Sequence, residues 1–180
     1  MIRKIGFSII SAAILLTACG NKEVKSNKQD YKKIIQENNA YSNIKWVDFN
    51  NLDKLMSKTP KKIMIYFYRP NCPYCKEMKE TTFKNKEVIK LLNDNFYCVM
   101  FNGRDKEDIY LNGIKYINPD KDIETKSNHE VHTALVDPYK NNIYWPSTVF
   151  LNEKYEKLRS WPGLQKENQF PRVIQMMMKR

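Results

Sequence analysis

The sequence predicts an α/β domain with a central mixed sheet flanked by helices on both faces. Residues 63–68 are apolar on both faces of a strand, which is typical of a central strand covered on both sides. A helix begins just after this strand, and the aliphatic and aromatic run at 96–101 supplies the second strand of a β-α-β unit. Two later strands joined by a short turn, and a final amphipathic helix, complete the pattern.

The predicted elements form one domain over residues 44–180. In chain order they are a strand at 44–47, a helix at 48–56, the central strand at 63–68, a helix from the first cysteine pair to about 82, a helix at 87–92, a strand at 96–101, a helix at 129–136, strands at 145–151 and 157–161, and a helix at 169–178. Residues 103–142 are longer than an ordinary connection. We interpret them as an insertion that precedes the last hairpin.

The motif Cys72-Pro73-Tyr74-Cys75 lies between the central strand and the helix after it. Two cysteines at this spacing share one face of a helical turn and are close enough to form a disulfide. The unpaired N–H groups and positive dipole end of a helix N-terminus favour the thiolate form of Cys72. Pro73 suits the first turn, where its missing N–H leaves nothing unsatisfied. We therefore predict that Cys72 attacks a substrate disulfide and that Cys75 resolves the resulting mixed disulfide.

The N-terminus predicts export and a lipid anchor. Arg3 and Lys4 precede an apolar stretch that is too short to span a bilayer, and the small residues that lead to Cys19 resemble the lipobox of bacterial lipoproteins. We expect residues 1–18 to be a lipoprotein signal peptide and residues 19–43 to be a tether lipidated at Cys19. In the alternative, an ordinary signal peptidase discards Cys19. With the lipid anchor, we expect the domain at the bacterial cell envelope, on the periplasmic or outer face of the membrane.

The chain is basic, with 31 Lys and Arg against 20 Asp and Glu and a formal net charge of +11. The lysines are spread through nearly every segment and form no block interleaved with aromatic residues. This distribution favours a solvated surface over a nucleic-acid site, so we expect no nucleic-acid partner. Attraction to anionic lipid head groups is a weaker alternative.

Two further features, a pair of histidines and a third cysteine, are better explained by structural roles than by catalysis or metal binding. His129-x-x-His132 could join the cysteine pair in a zinc site, but more than fifty residues separate the two pairs. We therefore predict no metal site and interpret the histidines as exposed or capping residues of the insertion. Cys98 lies within a predicted strand, and we expect it to be a buried thiol with no redox role.

Across residues 44–180 the order of elements resembles the thioredoxin fold. Residues 61–62, 75–79 and 83–88 are similar to the bacterial periplasmic thioredoxin-like family that includes the C-terminal domain of the transmembrane thiol-disulfide interchange protein. Trp145-Pro146-Ser147-Thr148 takes the place of that family's cis-proline loop, and Gly163 that of the glycine after the last strand. The resemblance implies that Pro146 is cis and that the backbone at Trp145 pairs with an extended substrate segment. Pro73, Tyr74, Trp145 and Pro146 would thus support the cysteine pair.

The chain departs from the family at two positions. Thioredoxins usually have a buried aspartate six residues before the first cysteine, as proton acceptor for the resolving thiol, and this chain has Tyr66 there. Trp145 stands where many relatives have a threonine or valine before the cis proline. Proton handling and substrate choice therefore cannot be carried over from the family.

The resemblance implies a membrane-anchored thiol-disulfide oxidoreductase that needs no cofactor. Its partners would be protein thiols and disulfides, and a membrane protein would supply electrons if it acts as a reductase or interchange partner, the direction we favour. A disulfide-forming oxidase is one alternative. The other is a binding module in which Cys72 and Cys75 form only a structural disulfide.

Overall fold

The computed structural model describes residues 43–122 and 125–180. Its elements are α1 (Phe49–Lys58), β1 (Lys62–Tyr68), α2 (Pro73–Glu80), a 3₁₀ turn (Thr82–Lys84), α3 (Lys86–Asn95), β2 (Phe96–Asn102), β3 (Ile109–Leu111), β4 (Ile114–Tyr116), α4 (Glu130–Leu135), β5 (Ser147–Leu151), β6 (Lys157–Pro162) and α5 (Phe170–Met178). The predicted signal peptide, Cys19 and all of the tether but residue 43 lie outside the described residues. Within the described segments, no helix combines the length and apolar character needed to cross a bilayer.

The main sheet has four strands in the order β2-β1-β5-β6. Strand β1 runs parallel to β2 and antiparallel to β5, and β5 runs antiparallel to β6. The mixed sheet predicted from the sequence is therefore confirmed, with the apolar strand in its interior. The strand predicted at 44–47 is reduced to a single parallel bridge between Trp46 and Cys98.

The alternating side chains of β1 divide the core into two layers. Met64 and Tyr66 face a layer formed with α2, α3 and α5, whereas Ile63, Ile65 and Phe67 face a layer formed with α1, α4 and the β3–β4 hairpin. All five side chains are buried. Both faces of β1 thus lie in apolar surroundings, which is why the strand has no polar face.

Side-chain caps explain where the helices near the sheet begin. The Asp48 carboxylate accepts a hydrogen bond from the backbone N–H of Asn50 at 2.8 Å and caps α1. The Asn85 side chain accepts from the N–H groups of Glu87 and Val88 and caps α3. Such caps satisfy N–H groups that have no partner within the helix.

The insertion contains a small hairpin, β3–β4, that the sequence analysis did not predict. Asn112 and Gly113 form its turn with φ angles of 54° and 70°. Their backbone N–H groups both donate to the Asp53 carboxylate at 2.8 Å. The turn is therefore fixed to α1 by a charged acceptor, and the hairpin extends the second core layer.

Candidate active site

The cysteine pair lies at the start of α2 as a Cys72–Cys75 disulfide, with a Cα–Cα distance of 5.2 Å. Cys72 is the N-cap residue in an extended conformation, and its sulfur accepts the N–H of Cys75 at 3.2 Å. Asn71 has a φ of 54°, a left-handed conformation that asparagine tolerates better than most residues. This turn places the motif between the end of β1 and the first turn of α2.

An open groove of about 540 Å³ leads to the disulfide between the end of β1 and α2. Cys72 is 6 % exposed and Cys75 2 % exposed, whereas the Tyr74 side chain is 59 % exposed. Tyr68, Arg69 and Lys79 also line the groove. Access to the sulfur atoms is therefore through this groove, and the Tyr74 ring is available for contact with a partner.

Tyr66 occupies the position where the family has a buried acid, and it makes a different contact. Its hydroxyl donates a hydrogen bond to the backbone carbonyl of Cys75 at 3.0 Å. Burial, reinforced by the neighbouring Tyr68, raises the pKa of Tyr66 above its ordinary value. The hydroxyl is thus a neutral donor that ties α2 to the sheet.

The proline loop lies at the same edge of the sheet as the disulfide. The Trp145–Pro146 peptide bond is cis, as the resemblance implies. Ser147, which follows it, pairs with Phe67 near the end of β1, from which the chain continues to Cys72. The Pro146 carbonyl accepts a hydrogen bond from the N–H of Gly163 at 2.7 Å, and Gly163 has a φ of 74°. The structure therefore brings the predicted residues of the motif and of the loop to one edge.

The Trp145 ring packs against the side chain of His132. The two rings are stacked with centroids 4.3 Å apart and an interplanar angle of 3°. His132 also contacts Phe67 edge-on at 5.1 Å, and neither of its ring nitrogens has a hydrogen-bond partner within the described residues. Burial, with smaller contributions from the positive Arg104 and from His129, lowers the pKa of His132 to about 4. His132 is therefore a neutral packing ring under the proline loop.

The interpretation of the two histidines as exposed or capping residues is wrong for His132, which is buried, and is confirmed for His129, which is a capping residue. His129 caps α4, because its Nδ1 accepts the N–H of Val131 at 3.3 Å, but its side chain is fully buried. Its Nε2 lies 3.0 Å from the Glu107 carbonyl oxygen. Burial lowers the pKa of His129, and the hydrogen bond to Glu107 acts in the opposite direction. No local sequence feature predicts the burial of these two histidines, because the residues that surround them come from distant segments.

The remaining candidates have the following environments. Cys98 is buried, as predicted, and burial raises the pKa of its thiol to about 12, with an opposing effect from Lys61. A thiol of that kind is a poor nucleophile at neutral pH. Over the two described segments, no group of three or more His, Cys, Asp or Glu side chains is placed to hold a metal ion.

Comparison with known proteins identifies the class of this domain. A family model described as a thioredoxin-like domain matches residues 49–177, so the chain belongs to the thioredoxin-like family. A curated relative, spermatogenesis-associated protein 20 of Mus musculus, is 33 % identical over 128 residues. That match covers 70 % of this chain but only 12 % of the relative's length.

Solved structures share the fold at low sequence identity. A thioredoxin-fold protein from Helicobacter pylori has a TM-score of 0.50 and 18 % identity, over 67 % of this chain and 70 % of that one. A DsbH oxidoreductase has a TM-score of 0.52 and 12 % identity, over 78 % and 88 % of the two chains. A thioredoxin from Thermus thermophilus has a TM-score of 0.51 and 17 % identity, over 74 % and 86 %. These similarities confirm the thioredoxin-like fold.

Proposed function

We propose that this protein is a membrane-anchored thiol-disulfide oxidoreductase that acts on protein substrates outside the cytoplasm. One observation carries the proposal: the Cys72–Cys75 disulfide caps α2 at the sheet edge that also bears Trp145 and Pro146. The groove gives a substrate access to the sulfur atoms, and Tyr74 offers an exposed ring beside them. The similar fold of a protein described as a DsbH oxidoreductase supports the same activity.

The proposed reaction transfers two electrons from the dithiol form of the protein to a substrate disulfide. The Cys72 thiolate attacks one substrate sulfur, which forms a mixed disulfide and releases the other substrate sulfur as a thiolate that takes up a proton. The Cys75 thiol loses its proton and attacks the Cys72 sulfur. The mixed disulfide breaks, the Cys72–Cys75 disulfide forms, and the second substrate sulfur leaves and is protonated. The substrate is reduced and the protein is oxidised.

We favour this direction, with a membrane-bound dithiol protein as the electron donor that restores the reduced form. The support is the similarity of residues 75–79 and 83–88 to the reductase side of disulfide interchange. The test is a redox titration of the full chain against glutathione. A reductase or interchange partner should have a potential near or below about −200 mV, and a value near about −120 mV would assign an oxidase instead.

Insulin reduction tests the activity itself. With dithiothreitol as the electron source, the full chain should precipitate insulin faster than dithiothreitol alone, and Cys72→Ser should abolish the acceleration because the attacking thiol is gone. Cys98→Ala is the matched control, since it removes a buried thiol remote in sequence from the motif. Equal rates for the wild-type protein and Cys72→Ser would contradict the proposed activity and support the alternative of a binding module with a structural disulfide.

The proposed anchor is tested separately from the chemistry. Expression of the full chain in a bacterial host should yield a membrane-associated protein whose N-terminal peptide, by mass spectrometry, begins at a diacylated Cys19. Cys19→Ala should release the protein from the membrane fraction. An unmodified N-terminus at another residue in the wild-type protein would refute the lipid anchor but not the oxidoreductase.

A further inference from the structure

A positively charged cleft of about 340 Å³ lies beside the candidate active site. We call it the basic cleft; its polar lining consists of Arg69, Asn71, Asn102, Arg104, Thr125 and Lys126. Arg69 and Asn71 also line the groove over the disulfide, so the two depressions share a wall. A group bound in the basic cleft would therefore lie next to whatever occupies the groove.

The ends of two neighbouring strands hold the two arginines. Arg69 directly follows β1 and Arg104 lies just beyond β2. Because β1 and β2 are parallel, their carboxyl ends meet at the same edge of the sheet. The N–H of Gly103 donates to the Tyr68 carbonyl at 2.8 Å, and the Asn102 side chain accepts the N–H of Arg104 at 3.1 Å. The backbone that carries both arginines is thus fixed.

The positive charges in the basic cleft have no counter-charge from the described part of the chain. The Nε atoms of Arg69 and Arg104 are both buried without a hydrogen-bond partner among the described residues. No described carboxylate lines the cleft. Asp108, by contrast, pairs with both Lys115 and Lys121 in the same insertion. Burial, followed by the nearby charge of Arg69, lowers the pKa of Arg104.

A buried guanidinium N–H without a hydrogen-bond acceptor is unfavourable, and an anion in the cleft would supply the acceptor. Guanidinium N–H groups are arranged to hold a carboxylate through two parallel hydrogen bonds, and such charge-assisted bonds are stronger than neutral ones. A carboxylate that enters the cleft could therefore accept hydrogen bonds from both guanidinium groups.

The cleft adjoins the loop that is proposed to hold the substrate backbone. The Arg104 guanidinium carbon lies 5.8 Å from the centroid of the Trp145 ring. Arg69 is three residues before Cys72, so the chain between them spans roughly 10 Å at most. A carboxylate within about three positions of the reacting substrate cysteine could thus reach the cleft.

We infer that the basic cleft binds an aspartate or glutamate side chain of the polypeptide whose disulfide this protein exchanges. The inference rests on the proposed function and specifies its substrate class, which is a disulfide with an acidic residue close in sequence. The carboxylate would orient the substrate segment so that its sulfur lies over the groove at Cys72.

The test uses two peptides that differ in one charge. Each contains a single cysteine in mixed disulfide with neutral 2-thiopyridine, and glutamate or glutamine stands two residues from the cysteine. The reduced full-length protein attacks each peptide, and the released thiopyridone reports the second-order rate constant. We expect the glutamate peptide to react about tenfold faster than the glutamine peptide, which corresponds to about 1.4 kcal/mol.

The ratio of the two rate constants isolates recognition, because the same Cys72 attacks both peptides. Arg104→Gln should lower the ratio to below about threefold, and Arg104→Lys should retain part of it. Lys126→Gln, on an exposed side chain of the cleft, should lower it about twofold without disturbing Trp145. Lys154→Gln is the matched control, since it removes one charge in the exposed β5–β6 turn at the opposite edge of the sheet. That variant should leave the ratio unchanged.

The outcomes separate the inference from the proposed function. Equal rates for the two peptides with wild-type protein would overturn the inference that the basic cleft binds a substrate carboxylate. They would not contradict the proposed oxidoreductase activity. An equal fall of the ratio in Lys154→Gln and Arg104→Gln would also overturn the inference, since net charge alone would then explain the preference. If neither peptide reacts in a Cys72-dependent way, the proposed function fails and the inference fails with it.

Discussion

Two buried aromatic side chains, Tyr66 and His132, support the candidate active site, and they differ in whether their polar atoms form hydrogen bonds. Tyr66 lies on the face of the sheet covered by α2, and its hydroxyl donates to the Cys75 carbonyl at 3.0 Å. His132 packs on Phe67, whose side chain lies on the opposite face, and stacks on Trp145. Neither ring nitrogen of His132 has a hydrogen-bond partner within the described residues.

The difference indicates that the two halves of the site are held by different forces. A directional hydrogen bond fixes the motif helix, and a hydroxyl that stays neutral over the whole working pH range can maintain it. Shape and apolar packing support the proline loop, with a ring that burial keeps neutral. The proline-loop half should therefore be the more sensitive to protonation and to added volume.

The largest expected effect is a loss of stability at low pH, and it arises in the proline-loop half of the site, at His132. The pKa of His132 is about 6.5 in the unfolded chain and about 4 in the folded chain, so the unfolded chain binds the proton first as the pH falls. Its contribution to stability is fully present above pH 6.5 and is lost between pH 6.5 and about 4. The loss should reach about 3 kcal/mol in the free energy of unfolding, measured by urea denaturation at each pH.

His132→Phe is the variant that checks this prediction. It keeps a ring that can stack on Trp145 but removes the titrating group, so the loss over that pH range should shrink to the smaller contribution of His129. At pH 7 the variant should be more stable by about 1 kcal/mol, because two unsatisfied buried nitrogens are gone. Asp108 does not affect this pH range, because its pKa is lowered from 3.8 to about 2 and its contribution to stability is lost only between those two values. The same pH profile in wild type and variant would contradict the prediction.

Added volume should disturb the same half by a smaller amount. A Cβ atom at Gly103 would lie 2.4 and 2.8 Å from two atoms of the Trp145 ring and 2.9 Å from His132. Gly103→Ala should therefore lower the free energy of unfolding by about 2 kcal/mol and shift the tryptophan fluorescence. Gly113→Ala is the control, because its Cβ would meet nothing within 4 Å and only the φ of 70° opposes it, at a cost of about 1 kcal/mol. A larger loss at Gly113 than at Gly103 would contradict steric support of the loop.

The half of the site that contains the cysteine motif could be predicted from the sequence because the residues that determine its structure are close together in the chain. An all-apolar strand and a cysteine pair with Pro73 at a helix start each indicate a structure within a few residues. The position of Pro146 came from a resemblance to a loop of known geometry. These features placed the central strand, the motif and the final hairpin.

The rest depends on contacts between distant segments. Strands β3 and β4 have three residues each, too few for a periodic pattern, and the carboxylate that fixes their turn belongs to Asp53. Asn112-Gly113 alone was not enough to predict them. His132 was expected to be capping or exposed because nothing near it in sequence indicates the Trp145 and Phe67 rings that bury it. Arg104 could not be predicted as a site residue for the same reason, since its environment forms only when β1 and β2 pair.

The smallest expected effect on stability is in the half of the site that contains the motif helix and Tyr66. Tyr66→Phe keeps the buried ring and removes only the hydrogen bond to the Cys75 carbonyl, so the free energy of unfolding should fall by about 1 kcal/mol. Because the hydroxyl donates to a backbone oxygen, Tyr66 should not accept the proton of the resolving thiol. The rate of insulin reduction should then change less than about threefold, with the midpoint of its pH profile unmoved. Tyr139→Phe, at a ring that is 52 % exposed, controls for loss of a hydroxyl and should change neither quantity. A displaced pH midpoint in Tyr66→Phe alone would instead make Tyr66 part of the proton transfer, in place of the acid that the family usually has there.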